Sequence, residues 1–110
     1  MKIKSVKIGG LSVPVESCDD LSIEDEGRWA QYDYRREAIT ISTSQRPEGA
    51  IAESLIHEIL HGLFWNSGVR ARESWDKDLE EMVVEALSPR LTAFFRDNPD
   101  TVRELLRMLR

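Results

Sequence analysis

The stretch between Pro47 and Gly68 constrains this chain most. Ile51, Leu55, Ile56, Ile59, Leu60, Leu63, Phe64 and Trp65 recur at helical spacing and cover most of a helix circumference. A helix that apolar is expected to be enclosed on nearly all sides. One narrow polar stripe interrupts it, made of Ser54, His57, Glu58 and His61. Within the stripe both histidines of the chain fall in one phrase, His57-Glu58-Ile59-Leu60-His61, which reads H-E-x-x-H. Positions i and i+4 lie one above the other on a helix, so the two imidazoles share a face. Titratable groups in apolar surroundings need partners. A divalent cation held by His57 and His61 is the partner this spacing suits, with Glu58 placed to take a proton from water. The alternative is a pair of helix histidines satisfied by ordinary hydrogen bonds.

Pro47 suits a first helical position, and Gly68, after Asn66-Ser67, can take the left-handed conformation that ends a helix. Upstream, Ile3 to Ile8 and Leu11 to Val15 alternate apolar with polar residues across Gly9-Gly10, a two-residue hairpin signal. An acidic loop follows (Asp19, Asp20, Glu24, Asp25, Glu26, Gly27). Trp29 to Tyr34 and Ala38 to Ser42 then read as a second strand pair turned by Arg35-Arg36-Glu37. Downstream, a helix is expected from Ser74 through Leu79, Met82, Val83, Ala86 and Leu87. Pro89 removes the partner of the Glu85 carbonyl, so this helix is expected to kink or restart there, with Ser88 as a new cap. A segment with Leu91, Phe94 and Phe95 runs on to Asn98-Pro99, and Thr101 to Arg110 forms a short terminal helix. Strands followed by helices make an α+β domain, with a sheet of about four strands packed on the motif helix. The 110 residues suit one domain, spanning 1–110.

Catalytic zinc sites commonly use three protein ligands and one open position. The chain has no third histidine, and Cys18 lies far upstream. A carboxylate is therefore expected, and the second helix offers Glu80, Glu81 and Glu85. Glu81 and Glu85 share a face at i, i+4. Glu85, flanked by Val83, Val84, Ala86 and Leu87, reads as the most buried and is favoured, with Glu81 the alternative and Glu80 on a solvated acidic face. One Zn²⁺ per chain on His57, His61 and Glu85 would polarise a substrate carbonyl and activate water. Glu58 would act as general base and pass the proton to the leaving amine. An extended peptide docks most simply by strand addition to a sheet edge, and Ala38 to Ser42 is the expected edge. Tyr32 and Tyr34 are candidates for holding an oxyanion, though strand aromatics more often pack.

Composition narrows the remaining classes. Net charge is −5 with acidic and basic residues interspersed, so no nucleic-acid footprint is seen. No apolar run follows the basic Met1 to Lys7 segment, and none approaches a membrane span, so neither a secretory signal nor a membrane partner is expected. A lone Cys18 fits a reducing compartment, and the expected location is cytoplasmic.

Several segments together resemble a known group. Gly9-Gly10-Leu11, Tyr32-Asp33-Tyr34 with Ile39-Thr40-Ile41, and Leu55-Ile56-His57-Glu58-Ile59-Leu60-His61 are similar to segments of small phage- and prophage-encoded zincin-like proteins. So are Val84-Glu85-Ala86-Leu87-Ser88-Pro89 and Phe95-Arg96-Asp97-Asn98-Pro99. More distantly the chain resembles ImmA/IrrE-type metallopeptidases and minimal gluzincins, whose third ligand is a glutamate in an E-x-x-A segment. The resemblance implies a small zincin-like fold, metallopeptidase activity on a protein or peptide substrate, and a bacterial host cytosol. It also implies His57, His61 and Glu85 as ligands, with Glu85-Ala86-Leu87-Ser88 matching that segment save for serine in place of alanine, and Glu58 as base. The chain departs from many relatives in opening the motif helix with Arg46-Pro47 rather than Ser-Pro. Nor is the extra domain expected that serves target recognition in some ImmA/IrrE-type proteins. The competing expectation is a non-catalytic zincin-fold accessory or binding protein of a phage that keeps metal for stability.

Overall fold

The two glycines of Gly9-Gly10 both take left-handed conformations, φ 57° and 83°. They turn β1 (Ser5–Ile8) back onto β2 (Leu11–Cys18), antiparallel, with Ile8 opposite Leu11. This is the conformation that two-residue hairpins require at both positions. In the computed structural model, residues 1–19, 28–44 and 46–110 are described. The acidic loop read from the sequence lies outside the described residues from Asp20 to Gly27. β3 (Ala30–Asp33) and β4 (Ala38–Ser42) form the second hairpin. Its turn is organised by Asp33, whose carboxylate accepts from the backbone N–H groups of Arg35 and Arg36 at 3.0 and 3.2 Å.

The two hairpins join through a parallel pairing of β2 with β4, Val15 opposite Ile39, to give a mixed sheet of order β1-β2-β4-β3. β4 is therefore internal. The expectation that Ala38 to Ser42 forms the edge is overturned, because both of its ladders are occupied. β3 is the edge strand at this end of the described sheet.

One face of the sheet is covered by α1 (Glu48–Asn66). Ile8, Val13, Val15, Tyr32, Ile39, Ile41 and Leu55 form the buried core between them. Pro47 stands just before the helix rather than at its first residue, and no side chain caps that end. Instead Arg46 donates to the carbonyls of Ser42 and Ala50 and to the Ser54 hydroxyl, tying the end of β4 to the start of α1. After Asn66 the chain turns through Gly68 (φ 79°) into a short 3₁₀ turn, Val69–Ala71.

α2 (Lys77–Asp97) begins later than expected. Asp76 rather than Ser74 is its cap, accepting from the Asp78 N–H at 2.8 Å. It then runs as one helix through Pro89, so of the expected kink or restart the restart does not occur. Ser88 does not start a new helix; its hydroxyl donates to the Val84 carbonyl, and Arg90 donates to the Ala86 carbonyl. These side-chain donors serve carbonyls on either side of the one that Pro89 orphans. α3 (Pro99–Met108) follows, with Pro99 in its first turn, where a missing N–H costs nothing.

α2 packs along α1, while the sheet covers another side of α1. The expectation that α1 is enclosed on nearly all sides is not met. Leu63 and Trp65 are 46% and 41% exposed. Two layers cover two flanks of this helix, and among the described residues no third layer covers the remainder. No described helix is long and apolar enough to cross a membrane.

Candidate metal centre

The helical rise places the His57 and His61 rings one turn apart, with centroids 5.0 Å from each other. Opposite them α2 presents Glu81, not Glu85. One Glu81 carboxylate oxygen lies 3.2 Å from His57 Nε2 and the other 3.0 Å from His61 Nε2. The ligand atoms of His57, His61 and Glu81 fall within 4.8 Å of one another. Glu85, favoured from its apolar neighbours in sequence, lies one turn further along α2 and is exposed at the rim of the same cleft. Its neighbours Val83, Ala86 and Leu87 are no guide to its own burial. The buried stripe of α2 runs through Glu80, Val84 and Ser88, and Glu85 is rotated away from it.

Glu80 reverses its expectation as well. It is 4% exposed and sits inside the helix pair rather than on a solvated face. Its carboxylate meets His61 Nδ1 at 2.7 Å, and Arg70 Nε and Trp75 Nε1 donate to it at 2.9 and 3.0 Å. Burial pushes this acid up, but the hydrogen bonds from Arg70, His61 and Trp75 outweigh it and hold the carboxyl at about 2. Arg70 is itself fixed. It donates to the Tyr34 hydroxyl at 2.6 Å, and its guanidinium lies 4.2 Å from the Tyr34 ring centre.

This arrangement sets the chemistry of His61. A neutral imidazole donates from one nitrogen and accepts at the other. With Nδ1 against the ionised Glu80, the proton belongs on Nδ1 and the Nε2 lone pair faces Glu81. Nε2 and a Glu81 oxygen, both acceptors, then stand 3.0 Å apart. A proton held between ring and carboxylate, or a cation between them, satisfies both. His57 supplies a further acceptor beside them. Burial, and then the neighbouring His61, hold its pKa below the ordinary histidine value. The donor set of two imidazoles and a carboxylate, with a second carboxylate orienting one imidazole, fits a divalent transition-metal ion.

Glu58, between the histidines in sequence, is 6% exposed. Burial raises its pKa to about 7, against the lowering effects of His61 and of the Tyr32 backbone N–H that donates to it. Tyr32 itself belongs to the core, where its ring packs over Gly62. Tyr34, half-buried, lines the cleft with its hydroxyl engaged by Arg70. The cleft has a volume of about 730 Å³ and runs from Trp29 and Arg46, past the histidines and Glu58, to Arg70 and Trp75.

Sequence reasoning missed Arg70 and the partner role of Glu80. The adjacent pair Glu80-Glu81 held the only signal: neighbouring helical residues point about 100° apart, so one can meet an imidazole from the side while the other faces it. No family model, no curated protein and no solved structure matches the chain.

Proposed function

We propose that this chain is a zinc-dependent metallopeptidase with a small zincin-like fold, and that His57, His61 and Glu81 hold the metal. The observation that carries the reading is the pairing of this three-residue donor set with a buried carboxylate, Glu58, whose pKa of about 7 suits it to exchange protons at neutral pH. When bound, the metal would supply Lewis acidity toward a peptide carbonyl and lower the pKa of water. Glu58 takes the proton from the attacking water and delivers it to the leaving amine. Glu80 keeps His61 in the Nδ1–H form and fixes its ring, and Arg70 holds Glu80 in place. β3, the edge strand of the described sheet, lies beside the cleft and is where an extended substrate would add. Tyr34 stands at the same cleft and can donate toward a developing oxyanion.

The test joins metal content with turnover. The purified protein is expected to bind about one zinc per chain, as a three-ligand site with an open position does. Zinc-loaded protein is expected to cleave members of an unstructured peptide library. Glu58→Gln should keep the zinc and lose cleavage by at least ~10²-fold. Zinc bound by both proteins with cleavage by neither would leave the metal site standing and replace the enzyme by a metal-containing binding module.

A further inference from the structure

Large apolar side chains stand near the junction of α2 with α3. Phe94 and Phe95 in the last turns of α2 and Leu105, Leu106 and Leu109 on α3 are between 43% and 82% exposed. The α3 leucines follow Val102, half-buried beside the Asn98 corner, at the spacing of one helix face. Phe94 and Phe95 stand edge to face at the same corner, with ring centroids 6.1 Å apart.

We propose that this junction is the interface of a homodimer, in which the α2–α3 corner of one copy docks on that of a second. Three observations select a second copy as the occupant. The first is area. With side chains of this size offering roughly 150–250 Å² each when fully exposed, the five residues leave roughly 550 Å² of apolar surface in water. A stable interface needs ~800 Å² per partner, of which roughly 60%, or ~500 Å², is apolar. The patch meets that requirement and lies at the upper end of what monomers leave exposed.

The second is charge. α3 neutralises itself: Arg103 pairs with Asp100 and Arg107 with Glu104, each at i, i+3. Such a flank exerts little pull on an anionic lipid surface or a nucleic acid. It meets its own copy without like-charge repulsion, as a two-fold interface between identical patches requires. The third is helix length. α3 has 10 residues and touches the rest of the chain chiefly through α2. A helix this short is marginal without tertiary packing, and a second copy supplies that packing.

Sedimentation equilibrium of the full chain tests the inference, from about 1 to 100 μM to bracket a micromolar dimer. The wild type is expected to sediment at twice the chain mass at the upper concentrations. Leu105→Glu with Leu109→Glu should weaken the dimer by at least ~100-fold, because each copy would bury two unpaired charges. Both leucines are exposed in a single copy, so the variant should keep its helical circular dichroism. Ile3→Glu, on an exposed side chain ahead of β1 and outside the α2–α3 corner, should leave the mass unchanged. A wild type that stays monomeric throughout overturns the proposal. So does a dimer indifferent to the α3 variant. A monomer that binds phosphatidylserine-containing vesicles through these leucines would overturn it in favour of a lipid surface.

Discussion

Glu58→Gln in the metal-free protein probes the site through stability alone. The side chain is 6% exposed, and burial lifts its pKa from the ordinary 4.5 to about 7. In the unfolded chain the carboxyl loses its proton near the ordinary value; in the folded chain it keeps it until about pH 7. Between those limits the folded state binds more protons, so stability falls as pH rises through this window and levels off above it. At ~1.4 kcal/mol per pKa unit the full swing is about 3 kcal/mol. Glutamine has nearly the same shape, keeps a carbonyl oxygen for the Tyr32 N–H and carries no charge at any pH. The variant should therefore match the wild type near pH 4 and exceed it by about 3 kcal/mol at pH 8. Urea unfolding in the presence of a chelator reads this directly. With a slope of roughly 1.5 kcal/mol/M, the midpoint difference should open from near zero to about 2 M. A difference that stays below about 1 kcal/mol and does not vary between pH 4 and 8 would show that Glu58 ionises as a solvated carboxylate does, and the reasoning about its burial would be refuted.

Zinc affinity, measured by competition with a chromophoric chelator, should rank the three α2 carboxylates. Glu81→Gln should lose most of the affinity and Glu80→Gln ~10–100-fold, as removing the partner that orients a ligating histidine commonly does. Glu85→Gln, at the exposed rim, should change it by about twofold or less; a loss with Glu85→Gln equal to that with Glu81→Gln would restore the ligand expected from the sequence. Gly62→Ala tests the contact between α1 and the sheet. A methyl there would lie 2.7 Å from Tyr32 Cε2 and 2.8 Å from Ile8 Cδ1, both core atoms. Overpacking of this kind costs about 1–3 kcal/mol, against which alanine regains ~1 kcal/mol of helix propensity. Thermal melts should show a net loss, and an unchanged or raised midpoint would mean that β1 and β3 yield freely at this contact.

What could be read ahead of the structure was local. The hairpin at Gly9-Gly10 needs only two residues free to take positive φ, and the histidine pair needs only the helical repeat. Both are properties of a few consecutive residues, and both are present in the fold. The parallel pairing of β2 with β4 joins residues over twenty positions apart, and no local pattern announces it. The choice among Glu80, Glu81 and Glu85 failed for a related reason. Which of three carboxylates faces the histidines depends on how α2 is rolled about its axis, and that roll is fixed by Val84 and Ser88 seating against α1. Flanking residues report the average hydrophobicity of a segment, whereas burial belongs to an azimuth; Glu85, among apolar neighbours, is exposed, while Glu80, between Leu79 and Glu81, is buried. At Pro89 the expectation treated the lost backbone bond as decisive. Ser88 and Arg90 instead serve the neighbouring carbonyls, and α2 runs on to Asp97. The apolar circumference of α1 and the leucines of α3 carry a different lesson. Their sequence pattern calls for more covering surface than one copy of the described chain supplies. A hydrophobic pattern specifies that a face is to be buried without specifying which molecule buries it, and for α3 the proposed second copy would supply that surface.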